Sequence, residues 1–224
     1  MIKNLNEKQL FKGIGTVILH FVVLVLLQIP FLYFTENPYI YYLIPNILVM
    51  IMFIIIYRKE LINNIKDLKK NYKKVLLTTL KFWIIGFIIM YLSSLLINLL
   101  PIKTSINQQE NINLLRNYQL LEILIACIIA PITEEIVFRL SFKGFTDNKW
   151  FYSITTGLIF AGVHILSSIS NPLMLIHIIP YAALGIAFGY AYANTDNIYG
   201  TMLMHALHNT ISILELLIIG GIIL

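Results

Sequence analysis

Two adjacent glutamates inside an apolar run are the first candidates for chemistry. In the stretch Glu134-Glu135-Ile-Val-Phe-Arg139, Glu135 and Arg139 are four residues apart. On a helix they share one face with the acid before the base, which is the favourable order for an ion pair. Glu134 points about 100° away and has no partner one turn later, so it is free to hold a water molecule or to take a proton. The alternative is that both acids snorkel near a helix end, with the arginine as an anchor.

Two other apolar runs carry histidines. Phe160 precedes His164 by one helical turn and could pack over the imidazole and keep it dry. His205 and Asn209 are also one turn apart and share a face. Together they could donate hydrogen bonds to a developing oxyanion, or they could ligate a metal. His208 lies on an adjacent face and is interpreted as a helix-packing or supporting residue.

The remaining ionisable groups give weaker signals. No spaced partner accompanies the four that we interpret as interfacial or polar-packing residues: His20, Glu122, His177 and Glu215. The single cysteine, Cys127, cannot form an internal disulfide or a thiolate metal site alone. No serine is placed beside a plausible base, so nucleophilic Ser or Cys catalysis is disfavoured. Gly157 and Gly162 are expected to let another helix approach closely.

Composition identifies the elements that must position these groups. Of the 224 residues, 58% are hydrophobic and only 12% are charged, against about 25% charged in a typical soluble domain. This excludes an ordinary cytosolic enzyme, a disordered protein and a nucleic-acid-binding domain with a solvated basic face. We predict an all-α fold, a polytopic integral membrane helical bundle of about seven transmembrane helices. The apolar runs are 13–34, 39–57, 75–100, 118–141, 151–169, 172–193 and 198–223.

Positive charge predicts the orientation. The net charge is +5, and most of the basic residues fall in segment 58–74, before the first run and between the fourth and fifth runs. The positive-inside rule then predicts a multi-pass protein of the cell membrane with its N-terminus in the cytoplasm and its C-terminus outside. Glu134 and His205 lie within a few turns of these basic ends, so we expect a cavity that faces the cytoplasm.

The chain is expected to form one structural domain with two parts. Residues 1–117 would supply N-terminal transmembrane helices and a basic cytoplasmic loop at 58–74, and residues 118–224 a catalytic helical core. The segment between the third and fourth runs is expected to be one long loop. No internal or inverted repeat is present.

The three sites resemble the motifs of a known family. In chain order on successive runs they are Glu134-Glu135-x-x-x-Arg139, Phe160-x-x-x-His164 and His205-x-x-x-Asn209. These are similar to the three motifs of the CPBP family, over about residues 118–216. That family groups CAAX prenyl proteases of the Rce1 type with bacterial homologues linked to bacteriocin processing and self-immunity, the Abi family.

The resemblance implies an all-helical intramembrane endopeptidase and assigns roles by position. Glu134 and His164 would activate a water molecule, and His205 and Asn209 would stabilise the oxyanion. Glu135 and Arg139 complete the predicted catalytic set, where they could fix the helix face or the substrate backbone. Two cofactor alternatives stay open: a divalent metal such as zinc held by Glu134, His164 and His205, or a glutamate mechanism without a catalytic metal.

The predicted function is hydrolysis of a peptide bond in a membrane-associated peptide or protein. It could serve peptide or bacteriocin processing, or self-immunity. The expected partners are the lipid bilayer and the peptide or membrane-protein substrate, with no nucleic acid. Prenylated substrates are disfavoured because the composition, rich in Ile, Asn and Lys, resembles that of bacterial AT-rich genomes. The alternatives are a non-catalytic membrane immunity or regulatory scaffold protein, and a small transporter or proton relay, against which the lack of an inverted repeat weighs.

Overall fold

Helices account for the architecture of the chain. The computed structural model describes residues 5–219, which form no strand beyond an isolated bridge between Leu5 and Thr146. In chain order the α-helices are α1 (Glu7–Phe34), α2 (Ile44–Ile56), α3 (Arg58–Asn98), α4 (Ile106–Asn117), α5 (Gln119–Leu124), α6 (Ala130–Phe138), α7 (Lys149–His164), α8 (Ile178–Thr195) and α9 (Ile198–Ile219). The predicted all-α polytopic membrane bundle is confirmed.

Within the described residues, five helical segments are long and apolar enough to cross a membrane. They are Glu7–Phe34, Tyr39–Ile56, Arg58–Asn98, Pro172–Thr195 and Ile198–Ile218. The fourth predicted run is divided, because a π-helical turn at Ile125–Ile129 separates α5 from α6, and α7 in the fifth run has only 16 residues. The total of seven spans therefore stays a prediction. Lys3 and residues 220–223 of the last run lie outside the described residues.

Segment 58–74 was predicted as a loop, and this is wrong: it is the first part of α3, which kinks at Asn71 and continues to Asn98. Its Lys, Glu and Leu residues are good helix formers, and it contains no Gly or Pro. The segment also packs against the start of α9. The buried Asn64 accepts a hydrogen bond of 2.7 Å from the Ile198 N–H, and Asn197 donates to the Asn64 carbonyl and to Asp67. The basic segment is thus joined to the helix that carries His205.

The long loop expected between the third and fourth runs contains α4, at the opposite end of the bundle. Ser105 caps α4 by accepting the Gln108 N–H, and its hydroxyl is 3.1 Å from the Tyr181 hydroxyl on α8. The Asn107 amide also donates to the Tyr181 hydroxyl, at 3.1 Å. Next to this contact, His177 donates from Nε2 to the Lys103 carbonyl. These hydrogen bonds fix α4 over the N-terminal end of α8.

Helix α8 packs between α3 and α7. Close approach of α7 and α8 requires glycine: a Cβ on Gly157 would lie 2.5 Å from the Ile186 nitrogen, and one on Gly185 would lie 2.8 Å from the Gly157 carbonyl oxygen. The expectation of a close helix contact is therefore confirmed at Gly157. It is wrong at Gly162, where a Cβ would meet nothing within 4 Å.

Alanine substitutions in α7 test this close contact. Gly157→Ala forces a methyl group into the α8 backbone and is expected to lower the free energy of unfolding by about 1–3 kcal/mol, as overpacking does. Gly162→Ala is the matched control, since it adds the same methyl group to open space and gains helix propensity. Unfolding followed in detergent measures both. Equal stability of the two variants would contradict the packing described.

Candidate active site

A buried chain of three side chains joins α6 to α9. Arg139 Nη1 lies 3.1 Å from Glu135 Oε1, and both side chains are fully buried. The contact is an ion pair rather than a well-directed hydrogen bond. The same Glu135 oxygen is 2.9 Å from Nδ1 of His205, and Arg139 Nη2 also donates to the Gly185 carbonyl at 3.2 Å. Because a carboxylate only accepts, His205 donates from Nδ1, which leaves Nε2 of the neutral ring with a lone pair.

Aromatic rings exclude water from this chain. The Arg139 guanidinium lies 4.7 Å from the centre of the Phe160 ring and 5.9 Å from that of Phe188. Phe188 also stacks on His205 with ring centres 5.3 Å apart. The ion pair and the His205–Glu135 bond are therefore in an apolar environment, where electrostatic interactions are stronger than in water.

Glu134 faces both histidine rings. Its Oε2 lies 3.7 Å from Nε2 of His205 and 4.0 Å from Nε2 of His164. His164 donates from Nδ1 to the Phe160 carbonyl at 2.8 Å, so its Nε2 also carries the lone pair in the neutral ring. The predicted packing of Phe160 on His164 is confirmed, with ring centres 4.1 Å apart. The distances from Glu134 exceed a direct hydrogen bond and are suited to a bridging water molecule.

An irregular turn before α6 positions Asn209. In the π-helical turn, the Ala130 N–H bonds to the Ile125 carbonyl. Pro131, five residues after Ala126, has no N–H to donate. The Ala126 carbonyl therefore lacks a helical donor, and the Asn209 amide supplies one at 2.7 Å. This bond uses one amide hydrogen and leaves the second hydrogen and the carbonyl oxygen of Asn209 for other partners.

One cavity of about 370 Å³ is shared by four of the predicted site residues. Its wall includes Glu134, His164, His205 and Asn209, as well as residues of α4 and the apolar faces of α1 and α9. Glu135 and Arg139 do not contribute to the wall. The structure thus brings the six predicted site residues together, but in two layers: four at the cavity and two behind His205. Glu135 and Arg139 therefore lie behind His205 and have no exposed surface of their own.

The cavity extends away from the basic end of the bundle, so the expectation that it would face that end is wrong. Its lining includes Asn107, Gln108 and Asn111 of α4, which lies at the opposite end. The physical reason is packing: Phe142 and Phe145, both fully buried, fill the space between α6 and the basic end. His164 is the last residue of α7, which begins near the basic end at Lys149. It therefore lies on the side of Glu134 that faces the cavity.

The wall residues that were not assigned to the site from the sequence include His20, Glu122, Tyr181, Phe188 and His208. None has a spaced partner along its own helix, so local periodicity gives no signal for them. Glu122 is 3% exposed and was interpreted as an interfacial or packing residue. His208 also lines a second cavity of about 360 Å³ next to the first, together with Glu215. The one available indication that such residues belong to the site was the presence of a charged or polar group in an apolar run.

The residues do not fit a resident metal as they are arranged. A carboxylate and two imidazoles are ligands that zinc accepts, but neighbouring ligand atoms around tetrahedral zinc lie about 3.4 Å apart. The distances from Glu134 Oε2 to the two Nε2 atoms are longer, at 3.7 and 4.0 Å. Within the described residues, no group of three His, Cys, Asp or Glu side chains is placed to hold a metal ion. A divalent metal therefore stays a prediction from the resemblance.

The fold and the site together define a class of protein: a helical membrane bundle with an acid and two histidines at an internal cavity. Residues 116–211 match the family model described as type II CAAX prenyl endopeptidase Rce1-like. A Bacillus subtilis (strain 168) protein described as "Putative membrane peptidase YdiL" is 30% identical over 111 residues, which cover 48% of this chain and 42% of that protein. No solved structure matches the chain. The resemblance to the CPBP/Rce1-like family is confirmed.

Substitution of the buried Arg139 tests the ion pair with Glu135 that lies behind His205. Arg139→Met keeps most of the side-chain volume but leaves Glu135 buried without its cation. The free energy of unfolding is expected to fall by about 3–5 kcal/mol. Lys143→Met is the matched control, because Lys143 pairs with Asp196 at 2.7 Å on the surface, where such pairs contribute less than about 1 kcal/mol. Unfolding in mixed detergent micelles measures both, and a similar small loss in the two variants would contradict the buried ion pair.

Proposed function

We propose that this chain is an intramembrane endopeptidase that hydrolyses a peptide bond of a membrane-associated peptide or protein. The observation that carries the proposal is the convergence of Glu134, His164 and His205 from three helices on one cavity. The match to an Rce1-like family model supports it. A cavity of about 370 Å³ is within the usual size of small-molecule sites and admits a short peptide segment rather than a folded domain.

In the proposed mechanism, Glu134 acts as the general base. A water molecule between Glu134 and Nε2 of His164 loses a proton to Glu134 as its oxygen attacks the peptide carbonyl carbon. The resulting oxyanion accepts hydrogen bonds from His205 Nε2 and the Asn209 amide. When the intermediate collapses, the C–N bond breaks and the proton passes from Glu134 to the leaving amine. No step in this sequence requires a metal.

His205 must carry protons on both nitrogens to donate to the oxyanion, since Nδ1 already donates to Glu135. Glu135 at 2.9 Å and Glu134 at 3.7 Å lie on opposite sides of the ring. Both carboxylates therefore face ring nitrogens that carry N–H groups in this scheme. In this scheme Arg139 holds the Glu135 carboxylate in place, and Glu135 in turn orients His205 through Nδ1.

The bilayer is part of the proposed function. Five apolar helical segments support a multi-pass membrane location, and the positive-inside rule supports a cytoplasmic N-terminus and an outer C-terminus. In that orientation a substrate reaches the cavity from the bilayer or from the non-cytoplasmic side. We propose a leader, signal or bacteriocin-like peptide, or another membrane protein, as the substrate class, with peptide processing or self-immunity as the biological role.

Cleavage by the purified protein tests the proposal. Wild-type protein in liposomes is incubated with a library of hydrophobic peptides, and the products are identified by mass spectrometry. Glu134→Gln removes the base and is expected to lower the cleavage rate by at least about 10²-fold. Asn209→Ala removes an oxyanion donor and is expected to cost about 10²-fold.

Glu215→Gln is the matched control, because Glu215 lies outside the cavity that holds Glu134. It is expected to cleave like the wild type. A chelator is expected to leave the wild-type rate unchanged, whereas loss of activity that zinc restores would favour the metal alternative. Undiminished cleavage by Glu134→Gln would overturn the assignment, and absence of cleavage with an intact immunity phenotype in that variant would favour a non-catalytic scaffold.

A further inference from the structure

Glu122 is a buried carboxylate that the proposed mechanism does not use. Its residue is 3% exposed, and it contributes to the wall of the cavity that contains Glu134. No hydrogen bond or ion pair reaches its carboxylate from any other residue in the described part of the chain. A buried charge without a partner costs several kcal/mol, so such groups are rare unless a ligand compensates them.

The charge of the cavity wall indicates what kind of ligand would compensate Glu122. Glu134 and Glu122 are the acidic residues of the wall within residues 5–219, and no lysine or arginine lines it there. The other polar groups of the wall are imidazoles, amides and hydroxyls. When both carboxylates are ionised, the wall has more acidic groups than fixed cations, and the low dielectric around the cavity strengthens the attraction for a cation.

The surroundings of Glu122 suit a cation on an apolar stem. The wall of the same cavity includes Leu114, Leu115 and Ile125, with Tyr42 from the π-helical turn before α2 and Asn46 from α2. Apolar side chains can pack against methylene groups while the carboxylate holds the charged head. The geometry thus matches an ammonium or guanidinium group on a flexible chain better than a free inorganic cation, which would require several oxygen ligands.

We propose that Glu122 binds a cationic group of the substrate, an ammonium or guanidinium from a Lys or Arg side chain or from a free N-terminal amine. This inference rests on the proposed function, because it assigns Glu122 to the substrate cavity of the same site. Glu122 precedes Glu134 by twelve residues, which corresponds to about 18 Å along a helix. An extended peptide covers that distance in about five residues. The cation therefore lies about three to five residues from the bond that is cleaved, after allowance for the length of the side chain.

Equilibrium binding of three defined peptides tests the proposal. All are amidated, fluorescent, leucine-rich nonapeptides. The first is acetylated and has one central lysine, the second is acetylated and has norleucine there, and the third has norleucine and a free N-terminal amine. Protein in nanodiscs of neutral phosphatidylcholine avoids attraction of the cation by the lipid. Wild-type protein is expected to bind at least one cationic peptide about tenfold tighter than the neutral one.

Two variants locate the source of this preference. Glu122→Gln keeps the shape of the side chain and is expected to abolish the preference, whereas Glu215→Gln is expected to retain it. The lysine and free-amine peptides distinguish a side chain from an N-terminus as the cation. Equal affinity of wild-type protein for all three peptides, or a preference that survives Glu122→Gln, would overturn the proposal.

Competition on the wild-type protein gives a second readout that needs no substitution. Butylammonium is expected to displace the preferred cationic peptide at concentrations at which butanol does not, and equal displacement by both would count against the cation site. Binding does not require turnover, so the two proposals fail separately. A Glu122-dependent preference without Glu134-dependent cleavage would contradict the protease, and cleavage without the preference would contradict the cation site.

Discussion

The ion pair between Glu135 and Arg139 is the interaction on which the rest of the site depends. Two charges with no exposed surface are stable only because each has a partner and because Arg139 also donates to the Gly185 carbonyl. The pair fixes the carboxylate oxygen that holds Nδ1 of His205, and so directs Nε2 towards Glu134. Burial thus makes the arrangement rigid, because any rotation of His205 would break its hydrogen bond to the Glu135 carboxylate in an apolar core.

A second constraint comes from an irregularity in the backbone. Pro131 and the π-helical turn together leave the Ala126 carbonyl without a helical donor, and Asn209 satisfies it. Asn209, four residues after His205, is the residue that would stabilise an oxyanion. It is therefore oriented by an irregularity in the helical segment that faces it. The two contacts, Glu135 with His205 and Ala126 with Asn209, align α9 against α6 and the π-helical turn before it, at two points one turn apart along α9.

Local spacing made part of this site predictable. The pairing of Glu135 with Arg139 and the packing of Phe160 on His164 follow from positions one turn apart on one helix. The contact between Glu135 and His205 joins residues far apart in sequence, so local spacing did not predict it. The direction of the cavity and the inclusion of Glu122 depend on which space the helices leave unfilled, and no local pattern contains that information. Segment 58–74 was misassigned because its charges suggested a solvated loop, whereas its buried Asn64 caps α9.

The protonation of His205 is the most direct test of whether the buried ion pair of Glu135 and Arg139 positions the site. Nitrogen-15 NMR of histidine-labelled protein in detergent, with the signal assigned by the loss of that resonance in His205→Gln, reports which ring nitrogens carry hydrogen. We expect a proton on Nδ1, in a hydrogen bond to Glu135 that weakens in Glu135→Gln. A His205 ring protonated on Nε2 alone, or a spectrum unaffected by Glu135→Gln, would contradict the proposed positioning of the site by the buried ion pair.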